Sequence, residues 1–288
     1  MTGKSMTPEE LEVAYDQSKW AANMKDIIAR FRVLSDAARA RIGEPKRIPY
    51  GAAKDEQLDV YTANKECAPV VVFVHGGGWL SGSARDYGFP AEMLVSTGVH
   101  FISLNFSTVA DAKGELAVLV NQVRAAVTWV YRNCSEFGGD PTRIYIAGHS
   151  SGAHLAAMAL STRWADYDLS VNPIRGGFLV SGIYDLQPLR QTSRSKSVRI
   201  DDDVERQLSP MCRAGGIASP LLLAVGSKES PEFLRQTSEY AKALGELGNQ
   251  TKVVVGETYN HFDIVETLGN PYGPLGCNLL DFVATGNL

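Results

Sequence analysis

The chain has 288 residues, 44% of them hydrophobic and 21% charged, the balance of an ordinary globular protein rather than a disordered or fibrous one. A net charge of −4 carries no basic footprint for nucleic acid, and no apolar run reaches the roughly 18 residues that a membrane-spanning helix needs. The opening residues lack the apolar core and small-residue cleavage site of a signal peptide, and Cys67, Cys134, Cys212 and Cys277 are scattered with no C-x-x-C spacing; a cytoplasmic protein with reduced, structural thiols is expected.

The first forty-three residues read as helical: Thr7 is placed to cap, Pro8 suits the first helical position, and Glu9 and Glu10 complement the positive end of the helix dipole. After Gly43 the pattern changes. EQLDVYTA alternates as a half-buried strand; APVVVFV and GVHFISLNF are β-branched runs suited to buried parallel strands. A helix follows with Leu119, Val123, Val127 and Val130 on one face. Then come strand RIYIAGH, a helix from Ser151, strands GGFLVSGIYD and PLLLAVGS, helix PEFLRQTSEYAKALGELG, strand TKVVVGE and a last helix near CNLLDFVAT. Strands alternating with long helices predict an α/β fold, a mostly parallel central sheet flanked by helices, formed by residues 1–288 as a single domain. Residues 1–43 are expected to form an N-terminal helical segment, and the polar, irregular stretch 187–213 a small cap excursion.

Residues 148–152 read GHSSG, between an apolar strand and a helix. That context and the G-x-S-x-G spacing match the nucleophile elbow of the α/β-hydrolase fold. Small neighbours at Gly148 and Gly152 permit the strained turn that would hold out Ser150 as a nucleophile. Ser151 is expected to contribute only its backbone N–H, toward an oxyanion. HGGGW, residues 75–79, ends a strand, and glycines there let backbone N–H groups approach a developing negative charge; Gly77 and Gly78 are the candidate donors. A phosphate cradle would want Lys-Ser or Lys-Thr after the glycines, where Trp79-Leu80 stand.

The five histidines are 75, 100, 149, 154 and 261. In this template the nucleophile precedes the acid and the acid precedes the histidine, which leaves His154 and His261. His154 lies one turn into the nucleophile's helix, where packing is the simpler role; His261 follows the last strand, where a loop can present it to Ser150. For the acid, Glu229 sits at a strand tip, with Asp185 the alternative, while Glu232 begins the next helix and suits its dipole.

With these residues in view the chain resembles the arylformamidases, also called kynurenine formamidases, of the α/β-hydrolase superfamily. The likeness rests on ELEVAYDQSKW, HGGGWLSGS, GHSSGAHLAAM, LVSGIYDLQPL, ESPEFLRQTSEY and NHFDIVETL, spread from about residue 8 to 270. It implies Ser150 as nucleophile, His261 as base and Glu229 at a position usually occupied by Asp. It also implies hydrolysis of an N-formyl or short N-acyl arylamine resembling N-formylkynurenine, with no metal or organic cofactor. LNFSTVADAK departs from the Tyr-Arg-Leu run of related esterases, which bears on the pocket more than on the mechanism. A carboxylesterase, or an amidohydrolase acting on another acylated ring, would use the same machinery.

The expected partner is a small acylated arylamine or ester, with no nucleic acid and no membrane; a homodimer is compatible with the sequence. A carboxylate-bearing substrate would call for a cation, and Arg85, Arg190 and Arg194 are the candidates. Trp79 and Tyr184 are further candidates for substrate contact, and Tyr15 and Trp20 either roof the pocket or serve as core anchors.

Overall fold

The computed structural model describes residues 6–288. Eight strands form one sheet: β1 Lys46–Pro49, β2 Gln57–Tyr61, β3 Ala68–Val74, β4 His100–Leu104, β5 Gly139–His149, β6 Ile174–Val180, β7 Leu221–Gly226 and β8 Thr251–Gly256. Their order is β1-β2-β4-β3-β5-β6-β7-β8. The β1–β2 and β2–β4 pairs are antiparallel, and all the others are parallel. The helices in chain order are α1 Pro8–Tyr15, α2 Met24–Ile42, α3 Ala91–Ser96, α4 Leu116–Asn133, α5 Ser151–Leu160, α6 Asp202–Leu208, α7 Pro210–Arg213, α8 Pro231–Glu246, α9 Asp263–Glu266 and α10 Pro274–Thr285.

β3 is buried along its whole length because it is covered on both faces, which explains its unbroken β-branched run. Its alternate residues divide between two layers. Val70, Val72 and Val74 join a cluster with α4, α5 and α8, including Leu119, Leu155 and Tyr240. Val71 and Phe73 join a second cluster with α2, α3 and α10, including Phe31, Leu94 and Phe282. Each large apolar side chain buried this way contributes roughly 1.5–3 kcal/mol before entropy is charged against it.

The expected elements are present, with local differences. The helical opening is interrupted between Tyr15 and Met24, and α1 carries the full capping box: Thr7 Oγ1 accepts the Glu10 N–H at 3.2 Å and Glu10 returns the bond to the Thr7 N–H at 2.8 Å. β1 escaped the pattern reading because it is an exposed edge strand that ends in Pro49, with no apolar alternation to mark it. Segment 187–213 is built from short turns plus α6 and α7, and it meets α1 through Ser193, whose N–H donates to Glu12 at 2.6 Å. No helix among the described residues is long and apolar enough to cross a membrane. The four cysteines are free, Cys134 within the core and Cys67 and Cys212 exposed.

Candidate active site

β5 ends at His149 and α5 begins at Ser151, so Ser150 occupies the whole turn between them. Its backbone is left-handed, φ 55° and ψ −123°, a conformation disfavoured for a side-chain-bearing residue and held by its surroundings. The surroundings are visible. The Ser150 N–H donates to the Val180 carbonyl at 2.8 Å, extending the β5–β6 ladder through the bend. A Cβ on Gly152 would fall 2.1 Å from the Val74 carbonyl oxygen, and one on Gly148 would fall 2.5 Å from the Gly152 oxygen. Only hydrogen at those two positions lets helix and strands approach this closely, so the elbow geometry follows from the two glycines.

His261 follows β8 and is almost fully buried. Its Nδ1 lies 2.6 Å from Glu229 Oε2. Glu229, only 3% exposed just beyond β7, has its other oxygen occupied as well: Oε1 accepts the Ser181 hydroxyl at 2.6 Å and the Gly226 N–H at 2.7 Å. A carboxylate with donors on both oxygens is fixed in position and can hold a histidine ring in one orientation. Asp185 forms no ion pair with this histidine; its Oδ1 accepts the Gln187 N–H. Glu232 is committed elsewhere, accepting the Tyr15 hydroxyl at 3.0 Å and pairing with Arg235.

Ser150, His261 and Gly76–Gly78 line one cavity of about 840 Å³. This lies within the size range of small-molecule sites. Among the described residues the N–H groups of Gly77, Gly78 and Ser151 and the Ser150 hydroxyl have no hydrogen-bond partner. Gly77 and Gly78 take φ of 121° and 63°, backbone that glycine adopts without penalty. The Ser151 hydroxyl departs from expectation: it accepts the Trp79 N–H at 3.2 Å and so ties the glycine loop to α5.

The other histidines are structural in geometry. His154 donates Nε2–H to the Leu208 carbonyl at 2.8 Å and meets Trp79 edge-on. His75 donates Nδ1–H to the Gly76 carbonyl at 2.8 Å and stacks on Phe106. Burial pushes the pKa of both down to about 4. His149, which sequence reasoning passed over, donates Nε2–H to the His261 carbonyl at 2.9 Å, linking elbow and histidine loop; burial holds its pKa well below the usual range. Ser181 was also missed. It follows β6 with φ 52°, and nothing in its sequence context marks it as the donor that anchors Glu229.

Several expected contacts fall outside the cavity. Arg85 sits on a half-exposed turn with Glu44 at 3.4 Å and Asp36 at 3.6 Å, and Tyr184 is fully buried against Tyr240 with ring centroids 4.4 Å apart; neither lines the cavity. Trp79 borders it, but its ring packs into the core. Tyr15 lines the wall, whereas Trp20 is 37% exposed and away from it, neither roof nor core. The LNFSTVADAK segment does not reach the cavity; it braces it from behind, with Val109 N–H donating to the Trp79 carbonyl at 2.8 Å. Of the candidate cations, Arg190 pairs with Asp202 and Glu205, and only Arg194 lines the cavity.

Residues 58–196 match the BD-FAE family model. The chain is 36% identical to a kynurenine formamidase of Danio rerio over 92% of both chains. It is 28% identical to an isoprenylcysteine alpha-carbonyl methylesterase of Arabidopsis thaliana over 76% of this chain and 56% of the relative. Esterase 2 of Thermogutta terrifontis superposes with a TM-score of 0.70 at 20% identity, covering 86% of this chain and 97% of that one. The order of the sheet, the strained serine after its central strand and a relative alike from end to end agree: this chain is a hydrolase of the α/β-hydrolase fold and belongs to the kynurenine formamidase family.

Proposed function

We propose that the chain hydrolyses N-formyl or short N-acyl arylamines of the N-formylkynurenine type through a Ser150–His261–Glu229 triad and an acyl-enzyme. The observation that carries the reading is the buried 2.6 Å contact of Glu229 with His261 Nδ1, His261 lining the same cavity as the strained Ser150. Glu229 accepts from Nδ1–H, which leaves Nε2 as the basic nitrogen. Nε2 takes the Ser150 proton as Oγ attacks the acyl carbon; in unliganded hydrolases this contact is often long and closes only with substrate. The N–H groups of Gly77, Gly78 and Ser151 receive the oxyanion, each worth about 10²- to 10³-fold in rate where such donors have been removed. The imidazolium then protonates the departing arylamine, and the same nitrogen later deprotonates the water that releases the acid. An arylamine leaves readily because its lone pair delocalises into the ring.

In this reading the N-terminal helical segment and residues 187–213 act together as a cap on a single catalytic domain. Tyr15 and Glu12 on one side, and Leu189 and Arg194 on the other, line the same cavity. The likeness to a methylesterase keeps an ester substrate as the second reading.

The test compares kcat/KM for N-formyl-L-kynurenine and p-nitrophenyl acetate in the wild type and in Ser150→Ala. Preference for the formamide, lost in the variant, is expected. Ser150-dependent turnover of the ester alone would retain the triad and replace the substrate.

A further inference from the structure

Two cations line the cavity, Lys19, which is exposed, and Arg194, which is partly buried. Arg194 lies in the turn Ser193–Lys196, and the turn is held firmly. Glu12 accepts both the N–H and the hydroxyl of Ser193, Thr192 Oγ1 accepts the Arg194 N–H at 3.3 Å, and the Arg194 carbonyl accepts the Val198 N–H at 3.0 Å. The guanidinium reaches across to the glycine loop, with Nη1 3.4 Å from the Gly78 carbonyl oxygen. Among the described residues no carboxylate lies within 4.0 Å of it, whereas Arg190, Arg199 and Arg235 on neighbouring elements all have one.

Burial lowers the Arg194 pKa from its ordinary value, yet guanidinium stays protonated in proteins, so a partly desolvated positive charge faces the cavity. Three acids share the wall: Asp86 pairs with Arg32, whereas Glu12, bonded to Ser193, and Asp16, bonded to Ser18, act on Arg194 through their charge without contacting its guanidinium. Ile28, Phe31 and Phe233 line the same cavity and supply apolar wall suited to a ring. A planar fork of donors in a cavity that also has apolar wall matches a planar oxyanion on an aromatic compound.

We infer that Arg194 is the carboxylate-binding residue of the cavity and selects substrates whose leaving arylamine or phenol carries a carboxylate. This rests on the proposed acyl-transfer function of the site and names the chemical class it takes. The binding charge lies beside the loop that would hold the oxyanion, within reach of a single ligand that engages both.

The experiment measures two substrate pairs in the wild type, Arg194→Gln and Arg194→Lys. The pairs are N-formyl-L-kynurenine with its decarboxylated analogue, and 4-acetoxybenzoate with phenyl acetate. In the wild type the carboxylate member is expected to lead. In R194Q the ratio of kcat/KM between members should fall about ten- to a hundred-fold, chiefly through KM, the scale of a lost hydrogen bond to a charged group. R194K should restore part of it, keeping the charge without the fork. If only the esters are turned over, the formamide reading fails while the ester ratio still decides Arg194. Binding of L-kynurenine and kynuramine, followed by calorimetry, gives the same ratio without turnover. A ratio unchanged in R194Q, with both members falling together, would mean that Arg194 merely braces the Gly78 carbonyl, and it would overturn the inference; so would a wild type that favours the neutral members.

Discussion

The hydroxyl of Ser151 accepts the backbone N–H of Trp79 at 3.2 Å, so the residue after the elbow serine anchors the loop that carries the proposed oxyanion donors. Both partners are buried. In Ser151→Ala the Trp79 N–H is left without an acceptor, at a cost of about 1–3 kcal/mol, and the Gly77–Gly78 backbone loses its tie to α5. The expected result is a lower melting temperature and a kcat reduced about tenfold or more with KM little changed, since misplacement of groups that act in the transition state is read in kcat. A fall in stability with kcat intact would show that the loop keeps its shape unaided.

Glu229 meets His261 through one oxygen while Ser181 and Gly226 hold the other, and the two contacts make separate predictions. Glu229→Gln retains the size of the side chain but can present an amide N–H to Nδ1, favouring the wrong tautomer. In the proposed triad kcat should drop about 10³- to 10⁴-fold, the scale seen when a triad acid becomes an amide. Ser181→Ala leaves the Glu229–His261 pair in place and removes one anchor of the carboxylate, so a smaller loss, about tenfold, is expected. Comparable steady-state rates in Glu229→Gln and wild type would remove Glu229 from the mechanism.

Burial holds the pKa of His75 and His154 near 4, against about 6.5 in an unfolded chain. Between those values the unfolded chain binds protons that the folded one does not, so stability falls as pH drops from about 6.5 toward 4, by about 1.4 kcal/mol per pH unit for each histidine. Asp185 and Asp263, which burial holds above the ordinary aspartate range, act in the opposite sense, so a variant isolates the histidine contribution better than the wild-type curve alone. His154→Gln retains an N–H for the Leu208 carbonyl and cannot take up a proton in this range. Urea midpoints at pH 7 and pH 5 should differ less in His154→Gln than in the wild type; equal differences would mean that His154 is not held neutral.

The layered α/β architecture was legible in the chain because its signals are local. β3 declares its burial in an unbroken run of β-branched residues, α1 declares its start in Thr7-Pro8-Glu9-Glu10, and the elbow declares itself in two glycines that only a close strand–helix approach requires. The candidate residues Ser150, Glu229 and His261 were legible for a related reason. Each stands at the end of a recognisable strand, and parallel strands put such ends on one edge of the sheet.

What the sequence could not contain was which groups meet across that edge. Ser181 and Glu229 are 48 residues apart, Ser151 and Trp79 are 72 apart, and Arg194 and Gly78 are 116 apart. No period or motif encodes those pairings. Nor could the chain separate Arg85 from Arg194, two arginines in polar stretches, until packing gave one of them carboxylates at the surface and left the other facing the cavity. A strand or a turn is specified by neighbours along the chain, whereas the electrostatic state of a side chain is specified by neighbours in space, and only the closed tertiary structure supplies them.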